Sequence, residues 1–325
     1  MSKLLADVCD DVDMLTAPQV TVFGEALVDL IVPDSGEVHA VFGGAPFNTA
    51  RALGRLGVST SFVSSIARDR FGDGLVGELA ADGVNVDLVR RTASPTTLAL
   101  AELTSGGSAS YRFYVEGTSA QEEFDRAPIR YGEWMMTGGL GLVLTPVADQ
   151  IVSCLEERPA STRAMIDVNC RPNVISRVEE YRERVAHALS LVDVVKVSDE
   201  DLAYLYPNTP SSEAARQVLN LGARLVLLTA GSAPVEAFTK EHSVRVEVPP
   251  VDVVDTVGAG DTFGAGFLAW WCHYAGTKEV DSQALADPEL VTRAVNLGIH
   301  ASAIAVGRRG ADPPFRHELA ATLWG

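Results

Sequence analysis

A chain of 325 residues, 47% hydrophobic and 21% charged, can bury one large core or two modest ones and has the composition of an ordinary folded protein. Its formal net charge of −17 argues against nucleic acid or an anionic membrane as a partner, because both need a basic footprint. The same charge would repel a phosphate-bearing ligand, so any phosphate site in this chain must supply strong local donors.

The N-terminus carries Asp7, Asp10, Asp11 and Asp13 where a signal peptide would be basic and then apolar, which predicts a mobile, solvated leader over residues 1–17. The first strand is VTVFG (20–24), ending in Glu25-Ala26-Leu27-Val28-Asp29. Residues 27–41 read as extended, with a turn at Pro33-Asp34-Ser35-Gly36. Gly43-Gly44-Ala45-Pro46 then opens a helix over 46–56 that Gly57 closes, with proline at the start and glycine at the end. A strand at 60–67 (TSFVSSIA) and a helix at 73–82 follow. TTLALAEL (96–103) and ASYRFYV (109–115) flank the turn at 104–108 and predict a two-faced β-hairpin.

Strand and helix alternate from there: helix 146–157, strand 164–169 (AMIDVN), helix 178–191, strand 192–198 (VDVVKVS), helix 212–221 and strand 224–231 (RLVLLTAG). An apolar helix follows Asp261. The last long helix opens at Asp287-Pro288-Glu289, a cap, a proline and an acid at the positive dipole end, and closes at Gly307. Its apolar stretch, 290–306, is interrupted by Arg293, Asn296 and His300 and does not span a membrane. Alternation of this kind implies an α/β fold with a mostly parallel central sheet flanked by helices. The hairpin and the extended segment imply a small β subdomain placed over the cleft. The expectation is one domain, 18–325, with covering segments at about 29–41 and 96–118.

Cys9, Cys154, Cys170 and Cys272 are scattered without CxxC spacing, which predicts free thiols in a reducing compartment. With no targeting or membrane signal, a cytoplasmic protein is expected. The six histidines lack metal-ligand spacing, and Trp134, Trp270 and Trp271 read as packing aromatics.

The chemistry concentrates in Val253-Val254-Asp255-Thr256-Val257-Gly258-Ala259-Gly260-Asp261-Thr262-Phe263-Gly264-Ala265-Gly266-Phe267. Small residues at 258–260 let a ligand approach the backbone, and the free amides of a helix start, with a dipole of about half a charge, form an anion site. That meets the need for local donors. Asp261 reads either as an ordinary acid of a helix start or as a base that accepts a proton from an attacking hydroxyl.

DTVGAGDTFGAGF resembles the second signature of the PfkB (ribokinase-like) carbohydrate kinases, and FGGAPFNTARALGRLG (42–57) resembles the first; similarity in motif order runs from about Val20 to Pro314. The resemblance implies a ribokinase-like fold with a β-sheet lid, and ATP and Mg²⁺ as nucleotide and metal. Asp261 falls on the family's catalytic aspartate, and Gly258, Ala259 and Gly260 on its anion hole. On the sugar side, Asp29, Gly43, Gly44 and Asn48 match substrate-binding positions. Asp167-Val168-Asn169-Cys170-Arg171 gives a DxNxR pattern like that of fructokinases and ketodeoxygluconate kinases, with Arg171 on a substrate hydroxyl, on a phosphate oxygen or in a surface salt bridge.

On the nucleotide side, Lys196 and Ser198 lie in a segment resembling the family's NxxE region, which departs from it: Ser198 replaces Asn, and Asp201 replaces the Glu of the Mg²⁺ sphere. Thr229 and Gly231 match the strand end near the phosphates, although Ala233-Pro234 interrupts the usual continuation and Gly307 stands for the family's Thr. Asp255 and the Val257 carbonyl match a K⁺ loop of some relatives, or Asp255 caps its turn. GEALVDLI, GGAPFN and DVNCRPN together look most like bacterial fructokinases; ribose and ketodeoxygluconate are the alternative acceptors, and a silent sugar sensor is a third reading. A nicotinamide dehydrogenase is excluded, because Val22-Phe23-Gly24-Glu25-Ala26-Leu27 lacks GxGxxG. The implied partners are a sugar and ATP; relatives pair through their lids or remain single, so a homodimer through the lid is one of two alternatives.

Overall fold

Along each buried strand of the large sheet, successive apolar side chains go to two different cores. Val20 and Val22 belong to one and Phe23 to the other, and Val195 and Val197 lie opposite Val194. A strand alternates faces residue by residue, so a continuous apolar run is what a sheet covered on both sides demands.

The computed structural model describes residues 19–33, 36–103, 109–127, 129–276 and 283–325; the expected leader, Cys9 and the turn residues 34–35 and 104–108 lie outside the described residues. In chain order the strands are β1 (Val20–Phe23), β2 (Leu27–Val32), β3 (His39–Gly43), β4 (Thr60–Ala67), β5 (Val89–Thr92), β6 (Leu98–Leu103), β7 (Ala109–Tyr114), β8 (Trp134–Gly138), β9 (Arg163–Asp167), β10 (Val194–Ser198), β11 (Leu225–Thr229), β12 (Val235–Phe238) and β13 (Ser243–Val246). The helices are α1 (Ala45–Arg55), α2 (Arg70–Ala81), α3 (Val147–Glu157), α4 (Val178–Ser190), α5 (Asp199–Leu205), α6 (Ser211–Leu221), α7 (Ala259–Ala275) and α8 (Pro288–Val306).

The large sheet runs β13-β12-β11-β10-β9-β8-β1-β4-β5, and its pairs are parallel except at the β11-β12-β13 edge. Helices α1, α2, α7 and α8 cover one face around Phe47, Leu53, Leu75, Phe267 and Val295, while α3, α4, α5 and α6 cover the other around Ile151, Val185, Leu202 and Val218. A separate sheet, β3-β2-β6-β7, is built from the extended segment and the hairpin; β2 and β6 pair in parallel and the other pairs are antiparallel. The fold is ribokinase-like: a large, mostly parallel sheet with helices on both faces and a second, smaller sheet.

The small sheet reaches the carboxyl ends of the parallel strands. Phe42 packs over Gly74 of α2, and Val41 lies against Gly310 in the segment after α8. Trp134, Trp270 and Trp271 are buried packing residues. No helix among the described residues is long and apolar enough to cross a membrane.

Candidate active site

Helix α7 starts at the carboxyl ends of the strands, and its start is shaped by Gly258. That residue has φ 74°, and a Cβ there would lie 2.7 Å from the Ala311 Cβ, so only glycine serves. The Ala259 amide turns back to the Thr256 carbonyl (3.2 Å), and the Thr262 amide makes the bond to the Gly258 carbonyl (2.8 Å). The amides of Gly260 and Asp261 belong to the first turn, which lacks acceptors within the helix. Asp261 is buried, and one oxygen accepts a hydrogen bond from Asn48 Nδ2 at 2.9 Å. Burial first, and then the negative charge of Asp167, push its carboxyl up to about 6, against the Asn48 bond and the charges of Lys196 and Arg171.

Asn48 is delivered by α1, whose cap, Gly44, has φ 109° and would place a Cβ 2.8 Å from the Glu25 carbonyl. Glu25 itself is buried behind this cap. Its Oε1 accepts the Ala45 amide (3.3 Å) and its Oε2 the Gly141 amide (3.1 Å), and burial holds it at about 7 despite those bonds. Asp29 stands half-buried on β2 beside Gly43, where a Cβ would lie 2.5 Å from its Oδ2. Burial raises Asp29 to about 6, and Arg171 opposes the rise.

Arg171 is folded onto its own loop, donating to the carbonyls of Asn169 (3.3 Å) and Cys170 (3.0 Å) and to the Asn169 side chain. Its charge acts on Glu25, Asp29, Asp167 and Asp261, so it is a cation of the cleft beside Lys196. Under α7, Lys196 Nζ donates to Asp167 Oδ2 at 2.7 Å, and both side chains are buried.

The remaining positions sort by what already holds them. Ser198 caps α5, accepting the Asp201 amide (3.0 Å); Asp201 Oδ2 returns to the Ser198 amide (2.9 Å), and its Oδ1 takes the Cys170 amide (2.6 Å). Both Asp201 oxygens are thus committed to backbone, tying the Arg171 loop to α5. Thr229 ends β11 and Gly231 follows it with φ 55° and open space beside it. Asp255 accepts the Val257 amide (3.0 Å) and the Gly310 amide (2.8 Å), joining two loops beside the α7 start. Val257 is partly exposed at 36%.

The structure therefore brings Asp261, Asn48, Lys196, Arg171, Asp29 and the glycine turns to one cleft, with Asp201, Ser198 and Asp255 at its supports. Sequence reasoning assigned no role to Glu25 or Asp167. The available signal was a carboxylate at the end of one buried strand and in the run of another.

A buried carboxylate at the amide-rich start of a helix, at the carboxyl edge of a parallel sheet and under a second sheet, is the apparatus of a small-molecule phosphoryl-transfer enzyme of the α/β class. The profile described as pfkB family carbohydrate kinase matches residues 17–318, and the chain belongs to that family. The chain is 37% identical to a fructokinase of Rhizobium leguminosarum bv. trifolii over 76% of this chain and 77% of that one. It superposes on the structure of a Xylella fastidiosa fructokinase with bound ATP with a TM-score of 0.82 at 28% identity, covering 90% of this chain and 93% of that one. An aminoimidazole riboside kinase from Salmonella enterica, complexed with its riboside and an ATP analog, gives a TM-score of 0.80 at 25% identity over 94% and 99% of the two chains.

Proposed function

We propose that this carbohydrate kinase transfers the terminal phosphoryl group of ATP to a hydroxyl of fructose. The observation that carries the reading is Asp261, a buried carboxylate with a raised pKa beside the first-turn amides of α7. The sugar oxygen attacks the terminal phosphorus, the bond to ADP breaks, and the hydroxyl proton passes to Asp261. The amides of Gly258, Gly260 and Asp261 carry the transferring charge, while Ala259 shapes the turn through its amide's bond to the Thr256 carbonyl. Asp29 and Asn48, with the backbone of Gly43 and Gly44, receive the sugar, and Arg171 completes its polar contacts. Lys196, Ser198, Thr229 and Gly231 line the nucleotide side. The small sheet serves as the lid over 29–41 and 96–118.

Magnesium enters with the nucleotide: no group of three or more His, Cys, Asp or Glu among the described residues could hold it alone, and an ion that keeps its waters and phosphate ligands needs no such cage. When bound it neutralises phosphate charge. Asp201 is assigned to the support of the Arg171 loop in the first instance, reaching the metal's waters only through lone pairs its backbone bonds leave. Asp255 and the Val257 carbonyl are the proposed K⁺ pair, tested by activity in K⁺ against Na⁺. Half-buried Leu30, Leu98 and Leu100 lie together on one side of the lid and favour pairing of two copies there. An ATP-dependent enzyme with three buried free thiols among the described residues suits the cytoplasm.

The test is Asp261→Asn in an ATP-coupled assay over fructose, ribose and ketodeoxygluconate. The variant is expected to bind ATP and to lose at least about a hundredfold in turnover. Unchanged turnover removes Asp261 from the chemistry; a parent enzyme that prefers another sugar corrects the acceptor alone.

A further inference from the structure

Two charged side chains stand where strand alternation calls for core. Val194 and Met165 face the α7 side of the sheet, and two residues on, at the same parity, come Lys196 and Asp167. The two are register partners on β10 and β9, and they meet at 2.7 Å with side-chain exposures of 6% and 2%. A buried ion pair is weak ground for stability, since desolvation offsets most of its Coulomb gain and apolar residues would pack as well. Asp167 Oδ1, moreover, has no hydrogen-bond partner among the described residues. The pair therefore needs a reason beyond the core.

The reason lies in where the lysine runs. Its Cδ passes 3.7 Å from the place a Cβ would take on Gly264, and its Nζ ends 3.1 Å from that place on Gly260, the residue before the base. The anionic groups that act on this ammonium are Asp167, then Asp261, then Asp201. The groups that act on Asp261 are Asp167 from β9, Asn48 from α1, Lys196 from β10 and Arg171 from the loop after β9. Asp201, from α5, has both oxygens on backbone amides. If Asp167 lost its charge, the carboxylate acting most strongly on the ammonium would be the base itself.

We propose that Asp167 is a positioning residue for the base: by holding Lys196 beneath the first turn of α7, it keeps the ammonium from pairing with Asp261 and leaves that carboxylate open to the substrate hydroxyl. The assignment rests on the reading of Asp261 as base. It explains why a charged pair occupies two core positions and why Gly260 lacks a side chain, since a methyl there would press on the lysine head.

The pH profile of kcat/KM separates this role from a structural one. In Asp167→Asn a negative neighbour disappears and the ammonium is released toward Asp261, and both changes favour the ionised base. The acid limb is expected to move down by about one pH unit or more, while Asp167→Glu, which keeps the charge, leaves it in place. A merely structural loss would lower the plateau without moving the limb. Should Asp167→Asn not fold, Lys196→Gln takes its place and moves the limb up, because Asp261 loses its nearest cation. An unmoved limb in whichever of these two folds overturns the proposal, as does failure of both to fold, which would make the pair scaffold alone. Asp261→Asn assayed alongside keeps the two readings apart. If it turns over like the parent, the base assignment has failed; if it is inactive and the Asp167→Asn limb stays put, only the role of Asp167 falls.

Discussion

Glu25 shows how a single buried carboxylate can set a cleft without touching a reactant. Its two oxygens accept the amides of Ala45 and Gly141, one at the start of α1 and one in the turn after β8. Because α1 carries Asn48 to Asp261, the carboxylate fixes the distance between the sugar loop and the base. In Glu25→Gln the new NH₂ group must face an amide that also donates, leaving a buried donor unpaired at a cost of about 1–3 kcal/mol. The expected outcome is a lower denaturant midpoint together with a raised KM for the sugar and a smaller change in kcat. A variant with parental stability and parental sugar KM would show that α1 is held by its packing alone. The sequence made Asp261, Asn48, Asp29 and the glycine turns visible because each sits in a contiguous signature. Glu25 and Asp167 stand in the quoted stretches GEALVDLI and DVNCRPN, but their roles stayed hidden, since their partners lie 20 or more residues away and only the folded chain joins them.

Helices α7 and α8 meet through two glycines, which is why the anion site has a rigid base. A Cβ on Gly266 would lie 2.8 Å from the Gly298 Cα, and one on Gly298 would lie 2.7 Å from the Phe263 carbonyl. Neither neighbour is a flexible side chain, so alanine at 298 must part the helices, costing about 1–3 kcal/mol. Gly298→Ala is expected to lower the unfolding midpoint and to reduce kcat by displacing the start of α7; an unchanged midpoint would mean that the two axes separate freely. Elements of this kind were legible to different degrees. Strands with β-branched residues at both parities, such as β4 and β10, announced themselves, as did α8 with its Asp287 cap, whose carboxylate takes the Glu289 and Leu290 amides. The strand β8 did not, because Trp134-Met135-Met136 lacks β-branching and runs into glycines. Four-residue β12 and β13 and seven-residue α5 are too short for a periodic signal, so the antiparallel edge was missed.

At the scale of the whole molecule, stability and catalysis respond to pH in opposite directions. Glu25, Asp29 and Asp261 have carboxyls raised from 4.5, 3.8 and 3.8 to about 7, 6 and 6, chiefly by burial. Between its unfolded and folded values, such a group binds more protons in the fold, so acidification through that window stabilises the folded state. The window runs from about 4.5 to about 7 for Glu25 and from about 3.8 to about 6 for the two aspartates. Relief of the −17 net charge acts in the same sense. His273 opposes it, because burial and Arg316 favour its neutral form. The base must be ionised to work, so kcat/KM falls as pH drops through about 6. The thermal midpoint of the ligand-free protein is therefore expected to be higher at about pH 6 than at about pH 8, where activity is greater. Salt separates the two sources. At about 1 M the Debye length is near 3 Å, which screens surface repulsion but not the buried carboxyls. A midpoint difference that survives such salt belongs to the cleft, one that vanishes belongs to the surface, and a midpoint lower at the acid pH in high salt would contradict the assignment of these three carboxyls as protonated more readily in the fold.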